Sequence, residues 1–203
     1  MVALDVSAFS LKRATGYLLE QLATRDGVTA AHSMHVAVVA SNLAREMGLR
    51  SEVVWLYEAG LLHDIGKLYM PEHLLVSRKV FTPEERRLMQ SHVTYTQIVL
   101  RHHGYSYSLV ETCYQHHERL DGSGYPLGLK DGQISLGGKI LAVADVFTAL
   151  VAPRPYRGAL SVKQAIEIIL QETNLGRLAV EPVKCLVGRA SEYAELCKKV
   201  GSI

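Results

Sequence analysis

Apolar residues recur at three- and four-residue intervals along most of the chain, and no segment alternates with the period of two that marks a half-buried strand. An all-α fold is expected. Ser10 to Ala23 has helical spacing and ends in the turn-forming Thr24-Arg25-Asp26-Gly27. Thr29 then stands as cap for a buried helix from Ala30 to Met47, stopped by Gly48. A third helix begins after Ser51 and carries Val53, Val54, Leu56, Tyr57 and Leu61 into Leu62-His63-Asp64-Ile65-Gly66-Lys67, with Pro71 marking the break beyond. Thr82-Pro83-Glu84-Glu85 combines an N-cap, a proline at the first helical position and a capping-box glutamate. It predicts a helix from Pro83 to about Arg101 with His92 in its middle. Ser108-Leu109-Val110-Glu111 reads as a second capping box, opening a helix that ends at His116 and His117.

Periodicity then fails. Glu118 to Gly138 holds Gly122, Gly124, Pro126, Gly128, Gly132, Gly137 and Gly138, so a long irregular loop is expected, mobile enough to act as a lid or docking surface. Lys139 to Val151 returns to an apolar helix with Asp145 at its centre, ended by Ala152-Pro153-Arg154-Pro155. Ser161 caps the next helix, and two shorter helices are expected after it.

Composition narrows the function classes. A chain of 203 residues, 48% hydrophobic, suffices for one domain with a real core. The formal net charge of +2 implies no polyanionic partner such as duplex nucleic acid, but leaves room for a small anion. Cys113, Cys185 and Cys197 are odd in number and form no CxxC pair, which argues against a disulfide framework or thiolate zinc site and fits a reducing cytoplasm. The first residues show no secretory signal, and the longest apolar run, Ile140 to Ala152, is interrupted by Asp145 and too short to cross a bilayer, so a soluble protein is expected.

The histidines change the picture more. Taken alone, His63-Asp64 with Lys67 is a helix C-terminus closed by Gly66, with a cation favoured by the macrodipole. Together, His32, His63, Asp64, His92, His116, His117 and Asp145 fall on five predicted helices, several within apolar surfaces. Burying so many polar groups without a shared cation is costly, whereas a metal centre satisfies them at once. Imidazoles with carboxylates and no thiolate suit iron, manganese or zinc, not calcium. The two oxygens of Asp64 can bridge two ions. Lys67, four residues after His63, is expected on the same helical face with its charge free for a substrate phosphate.

His63-Asp64-Ile65-Gly66-Lys67 followed by His116-His117-Glu118-Arg119-Leu120-Asp121-Gly122-Ser123-Gly124-Tyr125-Pro126 resembles the HD-GYP family of phosphodiesterases. Flanking matches at Thr29 to Ser33, Pro71 to Leu75, Ala142 to Phe147 and Arg154 to Arg157 extend the likeness from about Asp26 to about Thr173. The resemblance implies a five-helix HD core over residues 26–173, preceded by a helix and turn in 1–25 and followed by C-terminal helices in 174–203. It also implies hydrolysis of the bacterial second messenger cyclic di-GMP to pGpG or GMP. By the same resemblance His32, His63, Asp64 and Asp145 hold one metal and His92, His116 and His117 a second, with Asp64 bridging. Iron or manganese is expected, with zinc or nickel as alternatives. The resemblance also implies that Lys67 lies near the scissile phosphate, that Arg154 and Arg157 contact the dinucleotide, and that the Tyr125 loop shapes the site and meets partners such as GGDEF cyclase domains.

Two cations held by these residues would supply a water of lowered pKa for attack on a phosphodiester, with Lys67 expected to take up developing charge and Asp145 to orient the water. Three positions depart from the family pattern. Val28 stands where some members carry a glutamate for a third metal, Thr148 where a second aspartate is common, and His35 where an arginine is usual. Two other readings share these residues: an HD hydrolase of cyclic GMP-AMP or of a nucleotide, and a non-catalytic module that binds a ligand or a partner protein.

Overall fold

The computed structural model describes residues 11–77, 79–152 and 158–200, and these form an all-helical array. The helices are α1 (Arg13–Arg25), α2 (Gly27–Glu46), α3 (Val53–Leu62), α4 (Glu72–Leu75), α5 (Pro83–Gln90), α6 (His92–His102), α7 (Tyr107–Gln115), α8 (Leu136–Val151), α9 (Val162–Asn174) and α10 (Val180–Val200). Two 3-10 turns, Ile65–Tyr69 and Asp131–Gln133, complete the set, and no strand is present among the described residues. No described helix is long and apolar enough to cross a membrane.

The core is built around α2, which packs against α1, α3, α8 and α10. Its buried stripe, Val36, Ala37, Val39, Ala40, Leu43 and Ala44, is rich in small side chains, so neighbouring helices come close. At the α2–α3 crossing Gly60 has no room for a side chain: a Cβ there would lie 2.4 Å from the Ala37 Cα. This contact brings the C-terminal end of α3, and with it His63 and Asp64, against α2 and His32.

Several expected boundaries move. Asp26, not Thr29, caps α2, its carboxylate accepting from the Thr29 N–H at 3.0 Å and from the Thr29 hydroxyl at 2.6 Å. Thr82 and Glu85 form the expected reciprocal capping box. The helix it opens is interrupted at Ser91, whose hydroxyl turns back onto the Leu88 carbonyl at 2.6 Å, so His92 begins α6 instead of sitting mid-helix. Ser106, not Ser108, caps α7. Ser135 caps α8, which starts at Leu136 and shortens the irregular stretch. After α9, capped by Ser161 as expected, a single 21-residue helix replaces the two short ones.

Candidate metal centre

The polar side chains of the cluster reach the centre from five helices and the turn after α3. His32 comes from the second turn of α2, His63 is the residue that ends α3, and Asp64 opens the 3-10 turn. His92 is the first residue of α6, His116 ends α7 with His117 following, and Asp145 sits in α8. All seven residues singled out from the sequence converge. They fall into two groups with ligand atoms mutually within 4.8 Å: His32, His63 and Asp145 in one, and Asp64, His92, His116 and His117 in the other.

Backbone carbonyls set the imidazoles. His63 Nδ1 lies 2.8 Å from the Gly60 carbonyl, His92 Nδ1 2.6 Å from Met89 and His116 Nδ1 2.6 Å from Cys113. A carbonyl accepts only, so each Nδ1 carries the proton and each Nε2 presents a lone pair to the centre. The repeated contact to the residue three positions earlier follows from placing each histidine at a helix end or the break at Ser91, where the ring folds back over the last turn.

Asp64 stands between the two groups. Its Oδ2 is 3.3 Å from His63 Nε2 and 2.7 Å from Lys67 Nζ, while its Oδ1 faces His92 Nε2 at 3.0 Å and His116 Nε2 at 3.9 Å. Asp145 Oδ1 is 2.9 Å from His32 Nε2, and its other oxygen is 3.8 Å from His117 Nδ1. Despite these approaches His63 Nε2, His92 Nε2, His116 Nε2 and Asp64 Oδ1 make no hydrogen bond. Four buried, inward-facing, unpartnered atoms are an expensive arrangement that a cation would satisfy. The donor set thus fits a metal.

The charges agree. Burial alone would raise the Asp64 carboxyl, but the charge of Lys67 and the close approach of the His63 and His92 imidazoles hold it well below the ordinary carboxylate range. Burial likewise works against ionised Asp145, and His32 and its neighbours outweigh it. Burial drives His116 down to about 3, helped by the charge of His63, and His117 also falls well below its ordinary value. Burial opposes charging of His63 too, yet Asp64 and Asp145 raise it overall. Two carboxylates with one ammonium leave negative charge in a buried site. What draws a proton to His63 in the absence of metal would draw a metal cation equally.

Lys67 is not on a continuation of the α3 helix. The chain tightens to 3-10 geometry at Ile65, and Lys67 pairs with Asp64 three residues back instead of facing His63. Gly66 lets the turn lie directly against α6: a Cβ there would clash with the His92 carbonyl oxygen and the Thr96 nitrogen. Its N–H donates to Thr96 Oγ1 at 2.9 Å, and that hydroxyl donates to the His63 carbonyl at 3.1 Å. Thr96 therefore locks the His63–Gly66 turn onto α6, a role with no signal in the sequence beyond its spacing of four from His92.

The Gly-Tyr-Pro loop is tied down, contrary to the mobility expected of it. The Glu118 carboxylate, buried beneath the loop, accepts from the Leu127 and Leu129 N–H groups at 2.8 and 2.9 Å. Gly124 passes so close to the Glu118–Arg119 backbone that a Cβ would be 2.4 Å from the Arg119 nitrogen, so this glycine serves close approach. The Tyr125 N–H donates to the His117 carbonyl at 3.2 Å and its ring lies 4.6 Å from the His117 ring. Burial and the charges of Asp64 and Asp145 raise the Tyr125 phenol well above its ordinary value.

The departures noted in the sequence leave the cluster intact. Val28 is exposed, and Thr148 turns its hydroxyl back onto the Ala144 and Asp145 carbonyls at 2.9 and 3.0 Å. Neither ring nitrogen of His35 makes a hydrogen bond. Arg154 and Arg157, expected to contact substrate, lie outside the described residues.

A buried cluster of histidines and aspartates gathered from five helices, opened by the His63-Asp64 pair, lies within an HD domain: this chain belongs to the HD domain family, which matches residues 16–178. The membership expected from the sequence is borne out. Over 166 residues the chain is 40% identical to 3′3′-cGAMP-specific phosphodiesterase 1 of Vibrio cholerae, covering 81% of this chain and 38% of that protein. Over 179 residues it is 39% identical to a cyclic di-GMP phosphodiesterase of Thermotoga maritima, covering 86% and 48%. The chain therefore spans less than half the length of these relatives. The fold is also that of the HD domain of Listeria monocytogenes phosphodiesterase PgpH in complex with cyclic-di-AMP, with a TM-score of 0.65 at 18% identity, covering 93% of this chain and 98% of that one.

Proposed function

We propose that this chain is a metal-dependent phosphodiesterase that opens cyclic dinucleotides, with cyclic di-GMP as substrate and pGpG or GMP as product. The observation that carries the reading is Asp64, whose two oxygens face two separate histidine groups 3.0–3.3 Å away while Lys67 approaches one of them. A carboxylate so placed suits a bridge between two transition-metal ions, iron or manganese by donor type, with zinc or nickel as alternatives. His32, His63 and Asp145 would hold one ion and His92, His116 and His117 the other. When bound, such a pair neutralises a phosphodiester and supplies a nucleophile near neutral pH.

The chain's own groups do the rest. Lys67, 22% exposed, stands between the buried carboxylate and solvent, where it can release Asp64 and meet a non-bridging phosphate oxygen. Asp145, acceptor-only when ionised, can orient the attacking water. Tyr125 closes the site over His117. The exposed Leu127 at the loop's tip suits contact with a partner such as a GGDEF domain. Three free cysteines and a second-messenger substrate fit a cytoplasmic setting.

A second reading, hydrolysis of 3′3′-cyclic GMP-AMP, is favoured by the name of the 40%-identical Vibrio relative. Incubating metal-reconstituted protein with each cyclic dinucleotide and following linear dinucleotide and mononucleotide decides between them. Binding without turnover of either would make the chain a ligand-sensing module and overturn the catalytic reading.

A further inference from the structure

Two tyrosines beside the Asp64–Lys67 turn have no part in the arrangement above. Tyr69 ends the 3-10 turn, and Tyr95 follows His92 by one turn of α6. Their rings stack nearly parallel, centroids 5.4 Å apart with 11° between the planes. Both remain in water, at 57% and 39% exposure, and neither hydroxyl has a hydrogen-bond partner among the described residues. The pairing follows from the clamp between the turn and α6. In a 3-10 turn residues three apart eclipse, so Tyr69 lies on the side of Gly66, which faces Thr96, the neighbour of Tyr95.

The pair sits at the edge of the site. His92 and Tyr95 are helical neighbours with Cβ atoms about 5–6 Å apart, and Lys67 precedes Tyr69 by two residues. A phosphate and the base of the same nucleotide are separated by one sugar, a span of the same order. The rings are parallel and offset, so flat aromatic surface of both stays open to solvent, and their contact restrains the few rotatable bonds each tyrosine has.

We propose that Tyr69 and Tyr95 form a base-stacking platform that receives one purine ring of the substrate while its phosphate lies at Asp64 and Lys67. This inference rests on the cyclic dinucleotide reading. Stacking on an aromatic face tolerates any base, so the platform supplies affinity and orientation without choosing guanine over adenine. Exposed Ile98 extends apolar surface further along α6, as a protein-docking ridge would. The flat pair nearest His92 favours a base instead.

The test measures cyclic di-GMP and 3′3′-cyclic GMP-AMP hydrolysis by metal-loaded wild type, Tyr95→Ala, Tyr95→Phe and Tyr69→Ala, with metal content, inhibition by inorganic phosphate and oligomeric state recorded for each. Roughly 5- to 100-fold higher KM is expected for the alanine variants, with the loss on KM more than on kcat. Tyr95→Phe should restore KM to within about threefold, and phosphate inhibition, which needs no base, should stay within about twofold. Unchanged KM in both alanine variants overturns the platform, as does a loss matched by lost metal or weakened phosphate inhibition, which makes the pair a support of the turn. Altered self-association with unchanged KM makes it a protein interface and also overturns it. A wild type inert on both dinucleotides instead defeats the cyclic dinucleotide reading itself.

Discussion

Glu58 and Asp64 are buried carboxylates six residues apart, one inside α3 and one just beyond its end, and the fold treats them oppositely. Glu58 accepts from the Lys12 N–H at 3.1 Å and from the Thr15 hydroxyl, which also meets the Tyr105 hydroxyl at 2.7 Å. That network anchors α1 to α3 and to the turn before α7, and the chain satisfies it. Asp64 Oδ1 has no hydrogen bond, and three imidazole nitrogens around it share that condition. A satisfied buried network stabilises the fold, whereas an unsatisfied one reserves its binding capacity for something from outside.

The sharpest way to break this contrast is to remove Asp64. Asp64→Ala should lose bound metal and phosphodiesterase turnover together, a drop to background in a product assay and below one ion per chain by metal analysis. A variant retaining two ions would end the bridging assignment. Lys67→Ala comes next. A charged ammonium has no lone pair to donate, so metal content should hold while turnover falls on the order of 100-fold. Wild-type turnover with full metal would reduce Lys67 to a counter-ion of Asp64.

Removing metal from the wild type tests the reserve directly. Chelation should abolish activity but preserve helical circular dichroism, because the helices bury their own core. Unfolding should become easier by about 3–4 kcal/mol for each ion lost, relative to protein in metal at 100 to 1,000 times its dissociation constant. A chain that loses its helices on chelation would make the centre structural. The smallest effect belongs to the other carboxylate. Glu58→Leu takes the acceptor from the Lys12 N–H, leaves the Thr15 hydroxyl only its Tyr105 contact, and should cost about 1–3 kcal/mol in denaturant unfolding. Metal content and turnover per folded molecule should not change, and if they fall, the two networks are coupled through α3.

Much of this was legible before any coordinates. Helical periodicity identified an all-α chain, and capping signals at Thr82 and Ser161 located two helix starts, because caps and amphipathic stripes are local chemistry written in adjacent residues. The seven converging polar residues were legible too, since histidines and aspartates set in apolar surroundings are too costly to bury without a common purpose. What the sequence misread was also local in origin: Thr29 and Ser108 carry side chains able to cap, but Asp26 and Ser106 were better placed by the packing of the helices they begin. The uninterrupted pattern from Pro83 to Arg101 concealed the break at Ser91 that turns His92 inward.

Only the tertiary structure decided which oxygen of Asp64 faces which histidines, that Lys67 spends its charge on Asp64, that Thr96 clamps the turn, and that Glu118 ties down the Gly-Tyr-Pro loop. The Thr96 clamp and the Glu118 tie join residues 33 and 9 apart, whose distances no periodicity encodes, and the Lys67–Asp64 pair depends on the tightened turn that the clamp holds. Sequence set the ligand types because ligand chemistry belongs to single side chains. Geometry among them belongs to helix packing, where Gly60 against Ala37 and Gly66 against His92 let backbones approach closely enough for the side chains to meet.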